Sequence, residues 1–181
     1  ISAPPVAVAP PAPPSSPAVK WQRIDSLALG LRAAGTRRGA GLSFEVPSDW
    51  LRAALPEPFL VQFGGRAGDR DATASLIVEA MRVPATVPLA REAAAIKSVI
   101  EPGVEHFRAL DEAEMEVAMR PAHRLTLLFQ AMDDTELQRQ QIVLIRAGET
   151  VFKLVFQGPE READTLKALF AHIVQGLAVA E

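Results

Sequence analysis

QRQQIVLIRAGETVFKLVFQ, Gln138–Gln157, contains two strands and a turn, and its apolar residues do not keep to one side. Side chains of a strand alternate between faces. Ile142 and Leu144 therefore share one face while Val143 and Ile145 share the other. The second strand repeats the arrangement, with Phe152, Leu154 and Phe156 opposite Val151 and Val155. A sheet with one wet face shows polar residues at alternate positions, so these strands need cover on both sides. Ala147-Gly148-Glu149 is a hairpin link in which glycine supplies the unusual φ, and so short a link makes the strands antiparallel. The expectation is an α+β chain: an antiparallel β-sheet flanked by helices on both faces, an α/β/α sandwich.

The helices come from changes of period. In TVPLAREAAAIKSVI, Leu89, Ala93, Ile96 and Ile100 fall at helical spacing. Pro88 sits where a first turn tolerates it, and Pro102-Gly103 closes the segment. Near the C-terminus, Leu166, Leu169, Phe170, Ile173 and Leu177 form one stripe, so the final helix is expected to run on towards Val179. Its first turn carries Pro159, Glu160 and Glu162, as the helix dipole favours. Further strands are expected at FLVQF, ASLIVEAMRV, Glu114–Met119 and around Leu125, Leu127 and Phe129. IDSLALGLR, Ile24–Arg32, fits a strand or a helix face, and strand is preferred.

GLSFEVPSDW, Gly41–Trp50, is the opening counterpart. Leu42, Phe44 and Val46 alternate with Ser43 and Glu45, and Pro47, which has no N–H to give a ladder, ends the strand. A short helical turn is expected at Asp49–Ala54 with Ser48 as its N-cap, leaving Trp50 as an anchor over the core.

Residues 1–19 differ from all of this. ISAPPVAVAPPAPPSSPAV has seven prolines and no charge. Such a segment favours extended polyproline II, a tether of roughly 55 Å at about 3.1 Å per residue. Residues 20–181 are expected to form a single folded domain. The chain starts with Ile, and a tether of this kind commonly follows a signal peptide or a lipid anchor upstream of Ile1, which makes the expected location extracytoplasmic.

The opening G-x-S-F-x-V-P-x-x-W, the middle amphipathic helix, the hairpin ending VFKLVFQGPE and the closing helix resemble the PsbP-like superfamily from about Leu42 to Val179. Its members include photosystem PsbP proteins, a Ran-binding nuclear import factor, DcrB-like and LpqN-like bacterial proteins and the Eag chaperones. Many close with Ser-Phe near the end of the last helix, where Gly176-Leu177 stand here. The resemblance implies an α/β/α sandwich, usually without enzymatic activity. No position here matches a metal or partner site of the family.

The chemistry-bearing residues have plain structural readings. GLSFE lacks the second glycine of a nucleophile elbow and puts Ser43 inside a strand. GGRAGDR, residues 64–70, has neither the spacing nor the lysine of a phosphate loop. His106, His123 and His172 show no i, i+4 pairing, and the chain has no cysteine, so no zinc motif is expected; His172, beside Ile173 but off the main stripe, is expected at an exposed helix position. LDEAEMEVAM and Asp133-Asp134 lack the alternating oxygen ligands of a calcium loop, and Glu114 and Glu116 read as a solvated strand face. A net charge of −3 argues against nucleic acid as a partner, and Arg37-Arg38 reads as solvated surface. No apolar run reaches the roughly 18 residues of a membrane-spanning helix.

The function expected on these grounds is a non-catalytic accessory domain of the bacterial cell envelope that binds another protein. It is expected to be no enzyme, to use no cofactor and to have no catalytic or metal residues. The alternative is a cytoplasmic Eag-like adaptor for a secreted client. A small hydrolase with unrecognised residues ranks third.

Overall fold

A computed structural model of the chain describes residues 19–29, 40–53, 55–56, 58–65 and 74–180. The Pro/Ala-rich residues 1–18, Arg37-Arg38 and most of GGRAGDR lie outside them.

The hairpin at Gln138–Gln157 forms as expected, from β8 (Leu137–Ala147) and β9 (Thr150–Pro159). Ile142 pairs with Val155 and Leu144 with Lys153, and Gly148 takes φ +61° at the turn. Around this hairpin the other strands assemble. β3 (Leu51–Ala53), β4 (Phe59–Gly64), β5 (Ser75–Arg82), β6 (Val104–Val117) and β7 (Arg120–Ala131) complete an antiparallel sheet of order β3-β4-β5-β9-β8-β7-β6. The helices are α1 (Leu89–Ile100), between β5 and β6, and α2 (Ala163–Gln175), after β9.

Both faces of the sheet are covered, as the two-sided apolar strands require. Ile142, Leu144 and Val151 pack with Leu125, Leu127 and Phe129 of β7 and Ala93 of α1. On the other face Val143, Ile145, Phe152, Leu154 and Phe156 pack with Leu166, Phe170 and Ile173 of α2. That face has a second cover. β1 (Trp21–Asp25), β2 (Gly41–Pro47) and β10 (Ala178–Ala180) form a small antiparallel sheet of order β1-β2-β10, whose Leu42, Phe44 and Val46 enter the same core. The ring of Phe44 meets Phe63 of β4 edge-on at 5.9 Å.

Pro47 marks the hand-over between the two sheets. It is the last residue of β2 and pairs with Trp21. The Trp50 amide donates to its carbonyl at 3.1 Å, closing a turn through Ser48 and Asp49. The chain then enters the large sheet as β3, so the helical turn expected at Asp49–Ala54 is instead a turn and a short edge strand. With Pro47 delivering the chain to the sheet edge, Trp50 lies parallel to Phe156 at 6.1 Å.

Three other expectations are corrected. The strand read over Ile24–Arg32 ends at Asp25, because Asp25 Oδ1 accepts from the amides of Leu27 and Ala28 and turns the chain; its last residues lie outside the described ones. The closing helix stops at Gln175, where the amide of Gly176 donates back to His172 O, and Ala178–Ala180 becomes β10 against β2. Met119 is not in a strand. Ala118 and Met119 are the two turn residues between β6 and β7, at φ +51° and +58°, the left-handed pair that a two-residue hairpin needs. Neither is glycine, so each carries roughly 1–2 kcal/mol of backbone strain.

Candidate functional site

α2 covers only part of its face of the large sheet. Beside it, a groove of about 640 Å³ runs over β6, β7 and β8. One wall is α2, where Lys167, Phe170, Ala171 and Val174 stand at i, i+3, i+4 and i+7, a single helix face. The floor is set by strand alternation: Arg139, Gln141 and Val143 of β8 point here while Ile142 and Leu144 point to α1. Arg124 and Thr126 of β7 do the same. The far wall is the edge strand β6, with Leu110, Asp111 and Met115. A register shift between Ala109 and Asp111 breaks the alternation there, and the neighbours Leu110 and Asp111 both border the groove.

The charged groups of the groove are held in three ways. Arg139 Nε and Nη2 donate to the two oxygens of Glu160 at 2.6 Å each, a two-point pair that ties β8 to the turn leading into α2. The bond to Glu160 raises the pKa of Arg139 above the ordinary guanidinium value, against an opposing effect of burial. Arg124 directs Nε and Nη2 at one oxygen, Oδ2 of Asp111, at 3.0 and 2.7 Å. Lys167 Nζ has no partner among the described residues. With Arg139 neutralised by Glu160 and Arg124 by Asp111, the ammonium of Lys167 is the unpaired charge of the lining, in a chain whose net charge is −3.

The histidines do not converge. His106, at φ +53°, borders a separate open depression of about 540 Å³ with Arg108 and Gln130. His172, expected to be an exposed helix residue, is half-exposed but engaged: its ring stacks on Trp21 at 3.7 Å and Nε2 lies 3.1 Å from Glu45 Oε2. His123 is buried in β7 on the α1 face, with Nε2 at 3.0 Å from Glu112 Oε1. The other oxygen of Glu112 receives the ammonium of Lys97 from α1. Because an ionised carboxylate only accepts, His123 Nε2 carries the proton, and the buried Nδ1 has no partner among the described residues. Ser43 is a strand residue whose Oγ accepts from Arg23 Nη2 at 2.9 Å. Asp134 belongs to a turn, with Oδ1 accepting from the amide of Glu136. Among the described residues no cluster of His, Asp and Glu is arranged to hold a metal ion, and no helix is long and apolar enough to cross a membrane.

The hydrogen bond from Lys97, assisted by His123 and opposed by burial, lowers the pKa of Glu112 below its ordinary 4.5. A depressed folded-state value means a contribution to stability that is present above the unfolded value and is lost as pH falls through the folded one. Glu112→Gln is therefore expected to be less stable than wild type at neutral pH. The gap should narrow between about pH 5 and about pH 3, as followed by urea unfolding at each pH. A gap independent of pH over that window would show that the carboxylate charge is not what Lys97 and His123 hold.

No family profile matches the sequence, and no curated protein matches it. Solved structures do. A cyanobacterial PsbP from Synechocystis superposes with a TM-score of 0.65 at 15% identity, over 93% of this chain and 98% of that one. LpqN of Mycobacterium tuberculosis, involved in cell envelope biogenesis, gives 0.63 at 13% identity over 89% and 92%. The Ran-binding protein Mog1p of Saccharomyces cerevisiae gives 0.61 at 13% over 88% and 95%. The chain has the PsbP-like fold. Within that fold, the strand order and the helix on each face of the sheet are those described above, and at these identities the likeness is one of fold.

The groove is not visible in the sequence for a simple reason: its walls come from segments far apart in the chain. The one local signal is the spacing Lys167, Phe170, Ala171, Val174, a second face of α2 beside the stripe of Leu166 and Ile173.

Proposed function

We propose that this chain is a non-catalytic binding domain of the bacterial cell envelope that grips a protein partner along the groove between α2 and β6–β8. In this reading residues 20–181 are the folded domain and residues 1–19 the tether that holds it outside the cytoplasm. The observation that carries the reading is the groove itself: a channel beside α2 over β6–β8, with apolar side chains between hydrogen-bonding and cationic ones. That mixture of a mostly apolar surface and a few placed polar groups is what binding clefts use. The PsbP-like fold supports a binding role, since solved structures sharing it include a Ran-binding protein and a protein of envelope biogenesis.

The runner-up, a cytoplasmic adaptor for apolar client segments, calls for a continuous exposed apolar patch of several hundred Å². Among the described residues, the large exposed apolar side chains are instead spread over the segment before β1, β3, β4, α1, β6 and the turns, at Val19, Leu29, Leu51, Phe59, Val99, Leu110, Met119 and Met132.

The test is expression from the full-length native gene with a photo-crosslinking residue at Ala171 in the groove or, as control, at Val99 on α1. An envelope-fractionating product that crosslinks to a protein from position 171 and not from 99 is the expected result. A cytoplasmic product would overturn the tethered reading, and equal crosslinking from both positions would overturn the groove.

A further inference from the structure

We propose that the segment taken by the groove is acidic: a linear stretch of a partner protein with carboxylates flanked by aliphatic side chains, recognised through Lys167 and Arg124. The inference rests on the reading of the groove as the binding site and adds the chemistry of its occupant.

Charge complementarity selects the occupant. Of the three lining cations, Arg139 is committed to Glu160 by a two-point pair that is less than one-third exposed, and its role is to hold α2 against β8. The other two are available. Lys167 Nζ has no partner among the described residues. Arg124 places both its bonds on one oxygen of Asp111, and that pair is nearly half exposed, with side chains 43% and 49% accessible. Ion pairs so exposed contribute little, so exchanging Asp111 for an incoming carboxylate, or adding one to the same guanidinium, costs little. A basic segment would meet the unpaired ammonium of Lys167 with nothing to offer it and be disfavoured.

The remaining lining says which acidic molecule. Leu110, Met115 and Val174 give apolar contact for aliphatic side chains. Gln141 and Gln175 offer amide groups suited to a peptide backbone. An acyl chain in the same place would desolvate those groups and return no hydrogen bond. From Arg139 to Val143 the floor extends roughly 13 Å at about 3.3 Å per residue, room for a short linear stretch. The acidic segment therefore fits better than an anionic lipid.

The test uses the full chain and three probes: a fluorescein-labelled peptide of Leu, Ala and Glu, its counterpart with Lys in place of Glu, and vesicles of anionic phospholipid. Wild type is expected to bind the Glu peptide at least about tenfold more tightly than the Lys peptide, with an affinity that falls as salt rises. Lys167→Glu, an exposed change that leaves the core alone, should erase or reverse that preference. Ala171→Trp, which fills the groove, should abolish binding of both. If Ala171→Trp abolishes binding but the two peptides bind equally, the acidic specificity is wrong and the groove stands. If Ala171→Trp changes nothing, the groove itself is wrong. Vesicle binding lost in Ala171→Trp, without peptide binding, would replace the acidic segment by a lipid, and binding of no probe would overturn the inference.

Discussion

Phe156→Ala is expected to lower stability by about 3–5 kcal/mol, a large share of the roughly 5–15 kcal/mol that holds a domain folded. Phe156 is 2% exposed and stands at the junction of three structural units. Its ring is parallel to Phe170 of α2 at 4.9 Å and to Trp50 at 6.1 Å, while its backbone pairs with Leu76 of β5 and Gln141 of β8. Truncation removes the ring's burial and leaves a cavity whose walls, two strands and a helix, cannot close in. A fall in melting temperature on the order of 10 °C is expected for a chain of this size, measured by thermal unfolding. Phe156→Leu keeps most of the volume and should cost less than half as much. Trp50→Ala should also cost less, because Trp50 is only partly buried and covers the stack from outside. If Trp50→Ala proved the more damaging of the two, the stack would be held from the β3 side and not from α2.

How far the fold can be read from sequence depends on how many neighbours each segment has. β8 and β9 lie in the middle of the sheet, buried on two faces, and their apolar runs state it directly. β6 is an edge strand with one neighbour, and its ladder shifts register between Glu105 and Arg108 and again between Ala109 and Asp111. A shift resets the alternation, so VEHFRALDEAEMEV shows neither a strand's period nor a helix's, and only its last residues are readable. β3 is three exposed residues held by β4 alone, and β10 is held by β2 more than 130 positions earlier in the chain. Neither has a local reason to be a strand. Partners far off in sequence make both, and local propensity gives way to them.

The candidate site is less legible for a related cause. The pair Arg139 and Glu160, the pair Arg124 and Asp111, and the trio Lys97, Glu112 and His123 each join residues from different elements. In the acidic run LDEAEMEVAM, the reading as a solvated strand face holds for Glu114, which is exposed, and for Glu116, which is exposed too. It does not extend to Asp111 and Glu112, which are adjacent in sequence, turn to opposite faces of the sheet and hold the edge strand from both. Alternation predicts that split once the strand is given, but the register shifts hide the strand at these residues.

The second large effect concerns Glu79 and Lys153, directly opposed on β5 and β9. Their side chains form an ion pair and are only 10% and 20% exposed. Glu79→Ala removes the partner of an ammonium that stays largely buried, and such a change typically costs about 3–5 kcal/mol. Because Lys153 retains some access to water and its long stem can reach out, a loss near the lower end, about 3 kcal/mol, is expected. Replacing both residues with leucine removes the unpaired charge together with the pair and adds apolar area, so the double variant should lie within about 1 kcal/mol of wild type. The cycle of Glu79→Leu, Lys153→Leu and both together, followed by urea unfolding, separates the two contributions. Singles that cost much and a double that costs little would mean that the pair fixes how β5 meets β9 and adds little net stability. A double as damaging as either single would mean that the pair is itself a net source of stability, whereas a double equal to the sum of the singles would mean that Glu79 and Lys153 act independently and that their ion pair does not hold the β5–β9 seam.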